Sequence, residues 1–313
     1  MPRPKKTMWG EKRWLDLVNE QRAHIYNEDY LGLMAKYLGL RPGMTIADIG
    51  CGIGFVGITF ARYIQPGGKV LGFDVDCRVI DEGRKNVRKR RLGKVLSIEE
   101  GDVYKLPLPD ESVDLSVCQA LLMHLDRPGD ALSEMIRIVR PGGKVVCLEP
   151  GPARSAYVSC FKPTLQDRIE GERFEYHLLK GRKKLGRGDR EIAKLIPEMM
   201  AERGLTEIRV RCSDRPPCLV PPYETPEQKA TRDYILSQMQ RHRGRYMKQR
   251  DKEAFLAGGG AEAEFERLHS KWLRQAGRVK QALKAGELAI VGSNGIPIVY
   301  GTKPRRPPRK RRG

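Results

Sequence analysis

Asp48, Gly50, Gly52 and Gly54 stand at alternate positions of ADIGCGIGF, residues 47–55, and Asp74 ends a second apolar stretch 20 residues after Gly54. Glycines so placed let a chain leaving a buried parallel strand reverse sharply, and let a ligand approach the backbone where a Cβ would block it. An acid about 20 residues further on is placed to accept hydrogen bonds from both hydroxyls of a ribose. The chemistry this predicts is the binding of a nucleoside cofactor. A pyrophosphate-binding dinucleotide fold wants G-x-G-x-x-G, but the sixth position from Gly50 is Phe55, so NAD fits poorly. The alternatives are a plain structural turn for the glycines and a strand-end turn residue for Asp74.

These residues need strands to carry them. The apolar start of ADIGCGIGF and KVLGFDVD at 69–76 read as buried strands, VLSIEE before Gly101-Asp102-Val103 as a third, and DLSVCQA as a fourth. Helical spacing then leads through Pro141-Gly142-Gly143 to a fifth strand ending at Glu149. The G-x-G-x-G turn after Asp48, together with LPLPDESVDLSVCQALLMHL at 106–125 and EMIRIVRPGGKVVCLEPG at 134–151, resembles class I S-adenosylmethionine-dependent methyltransferases of the ubiquinone/menaquinone type over residues 41–151. The resemblance implies an α/β, Rossmann-like, seven-stranded, mostly parallel sheet of order 3-2-1-4-5-7-6 with helices on both faces. It also implies S-adenosylmethionine at the C-terminal strand ends. Carried over by position, Asp48, Gly50, Gly52, Gly54 and Gln119 face the methionine half, Asp74 and Val75 the ribose, and Asp102 with Val103 the adenine.

Methyl transfer is an in-line displacement that needs a general base only when the nucleophile arrives protonated. His124 and Glu149, after strands four and five, are the candidates on the catalytic edge, with His24, Tyr26 and Tyr30 as further groups from the N-terminal segment. Each has a structural alternative: His124 as a packed or capping histidine, Glu149 as an acceptor for turn amides. Cys51 and Cys118 read as packed thiols, because Val117-Cys118 lacks the Pro-Cys or Thr-Cys of cytosine-5 methyltransferases. The seven cysteines show no metal spacing, and no metal site is expected.

The rest of the chain elaborates this core. Residues 1–40 read as an N-terminal helical cover, 41–150 as the cofactor-binding core and 151–189 as an insertion or lid. Residues 190–214 supply a core helix and strand six, 215–290 a helical insertion or lid, 291–303 the antiparallel closing strand and 304–313 a disordered basic tail. Insertions after strands five and six begin at the cofactor edge, where they can form a substrate pocket; stability or oligomerisation elements are the alternative. The chain carries 59 Lys plus Arg against 39 Asp plus Glu. Residues 41–150 hold 16 against 15 and residues 151–313 hold 36 against 19, so the positive excess lies in the additions. Seven of those cations fall in KPRRPPRKRR, which could reach RNA or an anionic surface or merely aid solubility. GRKKLGRGDR at 181–190 reads as a glycine-rich basic loop able to clamp an anionic substrate, or as an ordinary surface loop. The segment 232–255 mixes Tyr234, Tyr246 and Phe255 with arginines and reads either as base-stacking or as an amphipathic core helix.

No run of about 18 apolar residues exists, and MPRPKKTMWGEKRW lacks the apolar centre of a signal peptide, so a cytoplasmic protein is expected. The expected function is methyl transfer from S-adenosylmethionine to oxygen, nitrogen or carbon of a small organic molecule. An RNA methyltransferase and a noncatalytic binding scaffold are the alternatives; the PPY at 221–223 is misplaced for a base-methylation motif.

Overall fold

The computed structural model describes residues 10–11, 28–151, 156–160, 162–213, 218–241, 245–292 and 295–305. His24, Tyr26 and residues 306–313 of the basic tail lie outside them, as do the side chains of Tyr234, Tyr246 and Met247. Short apolar runs give β1 (Thr45–Ile49), β2 (Lys69–Asp74), β3 (Leu96–Glu100), β4 (Val113–Gln119) and β5 (Val139–Leu148). These pair in parallel, and β10 (Pro297–Thr302) slots antiparallel between β5 and β7 (Thr206–Cys212). The order is β3-β2-β1-β4-β5-β10-β7, which is 3-2-1-4-5-7-6 when only the strands of this sheet are counted.

Both faces of the sheet are covered, which is why its central strands read as continuous apolar runs rather than alternating ones. The twofold side-chain period sends Ile46, Val117, Val146 and Ile298 to one core and their neighbours Ala47, Cys118, Cys147 and Val299 to the other. The first core is completed by α1 (Glu28–Leu38), α2 (Phe55–Ala61) and α3 (Cys77–Lys89), through Met34, Leu38, Phe60 and Ile80. The second takes Leu132, Met135 and Ile138 of α4 (Pro128–Ile138) and Ile196 and Met200 of α6 (Ile196–Glu202). Helix α1 is tied to the closing strands: Tyr30 Oη donates to the Cys212 carbonyl at 2.6 Å, and the Tyr37 ring stacks on Tyr300 at 5.5 Å.

Four local expectations are corrected. The Pro141-Gly142-Gly143 segment does not precede strand five but bulges from within it, since Val113 pairs with Val139 and Leu115 already with Lys144. The Gly142 N–H to the Lys303 carbonyl and the Lys303 N–H to the Gly143 carbonyl fasten that bulge to the end of β10. The helix expected over 190–205 is broken into a 3-10 turn, Ile192–Lys194, and α6, because Pro197 has no N–H to continue a helix from the preceding turn. Residues 181–184 of the basic stretch are the last turn of α5 (Leu165–Lys184), leaving only 185–190 as loop. Val291 and Gly292 belong to β9 (Ile290–Gly292), which pairs with β6 (Ala156–Val158) and β8 (Cys218–Leu219), and not to the closing strand.

That three-stranded sheet, of order β6-β9-β8, joins the segments inserted after β5 and β7. Their helices also share a core: Leu178 of α5, Ala254 and Phe255 of α8 (Arg245–Ala257) and Phe265 of α9 (Glu262–Ala285) pack with Phe174. Phe255 is fully buried there, so it contributes packing and presents no stacking face for a base. Helix α7 (Pro226–Arg241) packs Ile235 and Leu236 against Leu219, Tyr223 and Leu283. No described helix is long and apolar enough to cross a membrane.

Candidate functional site

Five strand ends meet at one edge of the sheet, the edge at which open α/β sheets bind ligands. After β1 the chain turns through Gly50, Gly52 and Gly54 at φ of +64°, +55° and +84°, a left-handed sequence that side chains disfavour. Gly54 in that conformation starts α2, and the Asp48 carboxylate accepts the Gly57 N–H at 3.0 Å to hold the helix against the strand. Asp48 is thus almost wholly buried under the turn.

Asp74, the last residue of β2, faces this turn. Its Oδ2 accepts the Gly52 N–H at 3.0 Å and its Oδ1 the Asp76 N–H at 3.1 Å, which leaves acceptor capacity on both oxygens. Burial lifts its carboxyl above the usual range, against the pull of those N–H donors. Val75 beside it is half-buried. Asp76, which the sequence reading passed over, caps α3 by accepting the Arg78 N–H and pairs with the Arg78 guanidinium at 3.0 Å. Gly10 packs on that pair: a Cβ there would stand 2.4 Å from Arg78 Nε. The described N-terminal residues therefore sit beside the end of β2.

Beyond β3, Asp102 Oδ1 accepts the Tyr104 N–H at 3.0 Å and Val103 is buried. Tyr104 Oη donates to Asp126 at 2.6 Å, and the Arg127 guanidinium lies 4.4 Å from its ring centre. This pair of contacts ties the loop after β3 to the loop after β4. Gln119 closes β4, 5% exposed, and Ala120 follows at φ +51°, a strained position for a residue with a Cβ.

The turn beyond Ala120 is organised from beneath by Glu149. Its Oε1 accepts the N–H groups of Leu121 and Leu122, each at 2.8 Å, and its Oε2 that of Met123 at 3.4 Å. The residue is completely buried, and burial pushes its carboxyl up to about 7 against these three donors. Glu149 is placed to shape the turn rather than to meet a ligand. His124 ends the 3-10 helix Leu122–His124 that this turn forms. Burial, followed by the charges of Arg182, Arg190 and Arg250, pulls its imidazole down to about 3. Cys51 and Cys118 are buried with thiols pushed up, Cys51 chiefly by burial and Cys118 by its hydrogen bond with Cys147 and then by burial. Neither has the thiolate character of a nucleophile.

The structure thus brings Asp48, the three glycines, Asp74, Val75, Asp102, Val103, Gln119, His124 and Glu149 to one edge. The sequence singled out the stretch that carries Arg182 and Arg190, but not that these and Arg250 act on His124. Gly186 and Gly188 in the basic stretch were the available signal for the loop, while Arg250 is remote in sequence and carried none.

Residues 47–147 match the family described as "Methyltransferase domain". A demethylmenaquinone methyltransferase of Symbiobacterium thermophilum is 30% identical over 118 residues, covering 38% of this chain and 47% of that protein. An uncharacterized 37.1 kDa protein in transposon TN4556 of Streptomyces fradiae is 37% identical over 121 residues, covering 39% of this chain and 34% of its own. The chain thus matches less than half the length of either relative. Among solved structures, the [4+2]-cyclase SpnF has a TM-score of 0.50 at 18% identity, covering 96% of this chain and 95% of that one. That last likeness concerns the fold alone.

Proposed function

From the premise that residues 47–147 are a class I S-adenosylmethionine-dependent methyltransferase domain with a ubiquinone/menaquinone-type core, we propose that this chain transfers a methyl group to a small organic molecule. The observation that carries the reading is Asp74, held by the Gly52 N–H at the mouth of the glycine turn with acceptor capacity to spare. A ribose diol needs such an acceptor, and the residues present fit the cofactor. Asp74 and Val75 would hold the ribose, Asp102 and Val103 the adenine, and Gly50, Gly52, Gly54 and Gln119 the methionine end, with Asp48 acting through the turn it supports.

Bound S-adenosylmethionine supplies a methyl carbon activated by an adjacent sulfonium. The protein's part is alignment and exclusion of water. Glu149 fixes the amides of Leu121, Leu122 and Met123, and so sets where Leu121 stands against Gly50 and where the turn ends at His124. His124, kept neutral, accepts a hydrogen bond from a protonated acceptor; Glu149 is spent on the turn. The helices inserted after β5 and β7 wall the acceptor side.

The test is calorimetric titration of S-adenosylmethionine and S-adenosylhomocysteine into wild type and Asp74→Ala, followed by labelled methyl transfer to a metabolite extract and to total RNA. Micromolar binding lost in Asp74→Ala, with label in the small-molecule fraction, is expected. Label in RNA instead would favour the basic additions as an RNA-binding surface, and absence of binding would leave a scaffold.

A further inference from the structure

Helix α5 has two apolar sides, and the molecule packs only one of them. Phe174, Leu178 and Gly181 share the side that meets α8 and α9. At 3.6 residues per turn, Leu165, Ile169 and Tyr176 fall within about 40° of one another on the opposite side. These three are 75%, 52% and 58% exposed, so an apolar stripe faces solvent along about three turns of the helix. A single exposed leucine needs no explanation, but an aligned row on the outer side of an already packed helix does.

Cations border the stripe. Arg168 and Lys180 are exposed beside it, with Lys180 Nζ 5.6 Å from the centre of the Tyr176 ring, and Glu172 is the acid exposed among them. Neighbouring acids are committed to the seam between α5 and α9: Asp167 and Glu170 pair with Lys271, Glu170 also with Arg267, and Glu264 with Arg173. Lys162 and Asp167, which flank Leu165 in the chain, also line a cavity of about 600 Å³ whose facing wall is α9, with Lys271, Arg274 and Arg278. Asp167 answers Lys271 there, while Lys162, Arg274 and Arg278 make no ion pair among the described residues. The apolar stripe therefore starts beside three cations without an acidic partner.

We propose that this outer side of α5, with Lys162, Arg274 and Arg278 at its start, docks on an anionic lipid surface. Nothing in this docking depends on methyl transfer. The occupant must be apolar and anionic at once, and a bilayer containing acidic phospholipids is both. Leu165, Ile169 and the Tyr176 ring enter the boundary between headgroups and acyl chains, the stems of Arg168 and Lys180 lie along it with their charges outward, and the cavity receives a phosphate headgroup. A second copy of this chain, at a net charge of +20, is repelled from a face bordered by cations. Aliphatic side chains give a nucleic acid no ring to stack on.

The test is cosedimentation of the full chain with vesicles of phosphatidylcholine alone, and of phosphatidylcholine with about one third phosphatidylglycerol, at constant ionic strength. Wild type should bind the acidic vesicles about tenfold or more tightly than the neutral ones. Leu165→Ser with Ile169→Ser, and separately Arg274→Gln with Arg278→Gln, should each weaken that binding about tenfold. Thermal unfolding should stay as in wild type, because all four side chains are exposed. Failure of wild type to bind acidic vesicles overturns the proposal. Full retention of binding by either double variant also overturns it, and assigns the attraction to cations elsewhere, such as those of residues 304–313. Sedimentation equilibrium without lipid tests the second copy: a dimer that Leu165→Ser with Ile169→Ser converts to monomer overturns the proposal, and a monomer in both proteins supports it. Binding of a single-stranded RNA oligomer, lost in Arg274→Gln with Arg278→Gln and unaccompanied by vesicle binding, gives the cavity to nucleic acid and overturns it too.

Discussion

The Glu149 carboxylate accepts the Leu122 N–H at 2.8 Å through the same oxygen that takes Leu121, so one buried side chain at the end of β5 shapes the turn at the end of β4. Two neighbouring strands are thereby locked at the edge where the residues proposed to hold the cofactor gather. Removing the carboxylate in Glu149→Ala strands the buried Leu122 N–H and the part-buried N–H groups of Leu121 and Met123, and should destabilise the chain by about 3 kcal/mol, read from urea unfolding. Glu149→Gln, which keeps one acceptor oxygen, should fall between the two.

The same residue gives a pH signature. Its folded value near 7 lies above the 4.5 of an unperturbed glutamate, so between these values the folded state holds a proton that the unfolded state has lost. Glu149 stability is therefore full below pH 4.5 and lost as pH rises through 7, by about 3 kcal/mol in all. In Glu149→Gln that decline should vanish from unfolding curves taken across this range.

His124 acts in the opposite direction. Its folded value of about 3 lies below the 6.5 of an ordinary histidine, so on acidification from pH 6.5 the unfolded chain takes up the proton first. Its contribution is full above pH 6.5 and declines towards pH 3 by up to about 5 kcal/mol. The His124 ring signal should stay flat between pH 8 and pH 5 in NMR.

Gly188→Ala combines a φ of +78° with a Cβ driven into the backbone of Met123 and His124. The loop must lift, at a cost of about 1–3 kcal/mol. Methyl transfer should fall at least tenfold while S-adenosylhomocysteine affinity, measured by calorimetry, stays within about twofold, because the glycine turn lies on other strands.

Asp74→Ala removes the acceptor for the Gly52 and Asp76 N–H groups as well as the proposed ribose partner. Cofactor affinity should drop more than tenfold, and Asp74→Asn, which keeps one acceptor oxygen, should recover part of it. A calorimetric series across the three proteins checks the order.

The amino-acid sequence by itself marked the buried strands and the glycine turn, because both are written locally, whereas the order of the strands came from the family resemblance. Buried strands announce themselves as short apolar runs, the turn requires glycines at Gly50, Gly52 and Gly54, and Asp74 follows at a spacing set by one strand-helix-strand unit. The roles of Glu149 and His124 were not local. Whether Glu149 faces a ligand or a neighbouring turn depends on β4 lying beside β5, and the suppressed basicity of His124 depends on Arg182 and Arg250, 58 and 126 residues away in the chain. Likewise the single stretch after β7 hid a division of labour: Phe255 went to a core and Val291 to a small sheet joining both insertions. Hydrophobic pattern states that a residue will be buried; only the tertiary structure decides against what, since packing partners are chosen by the fold as a whole.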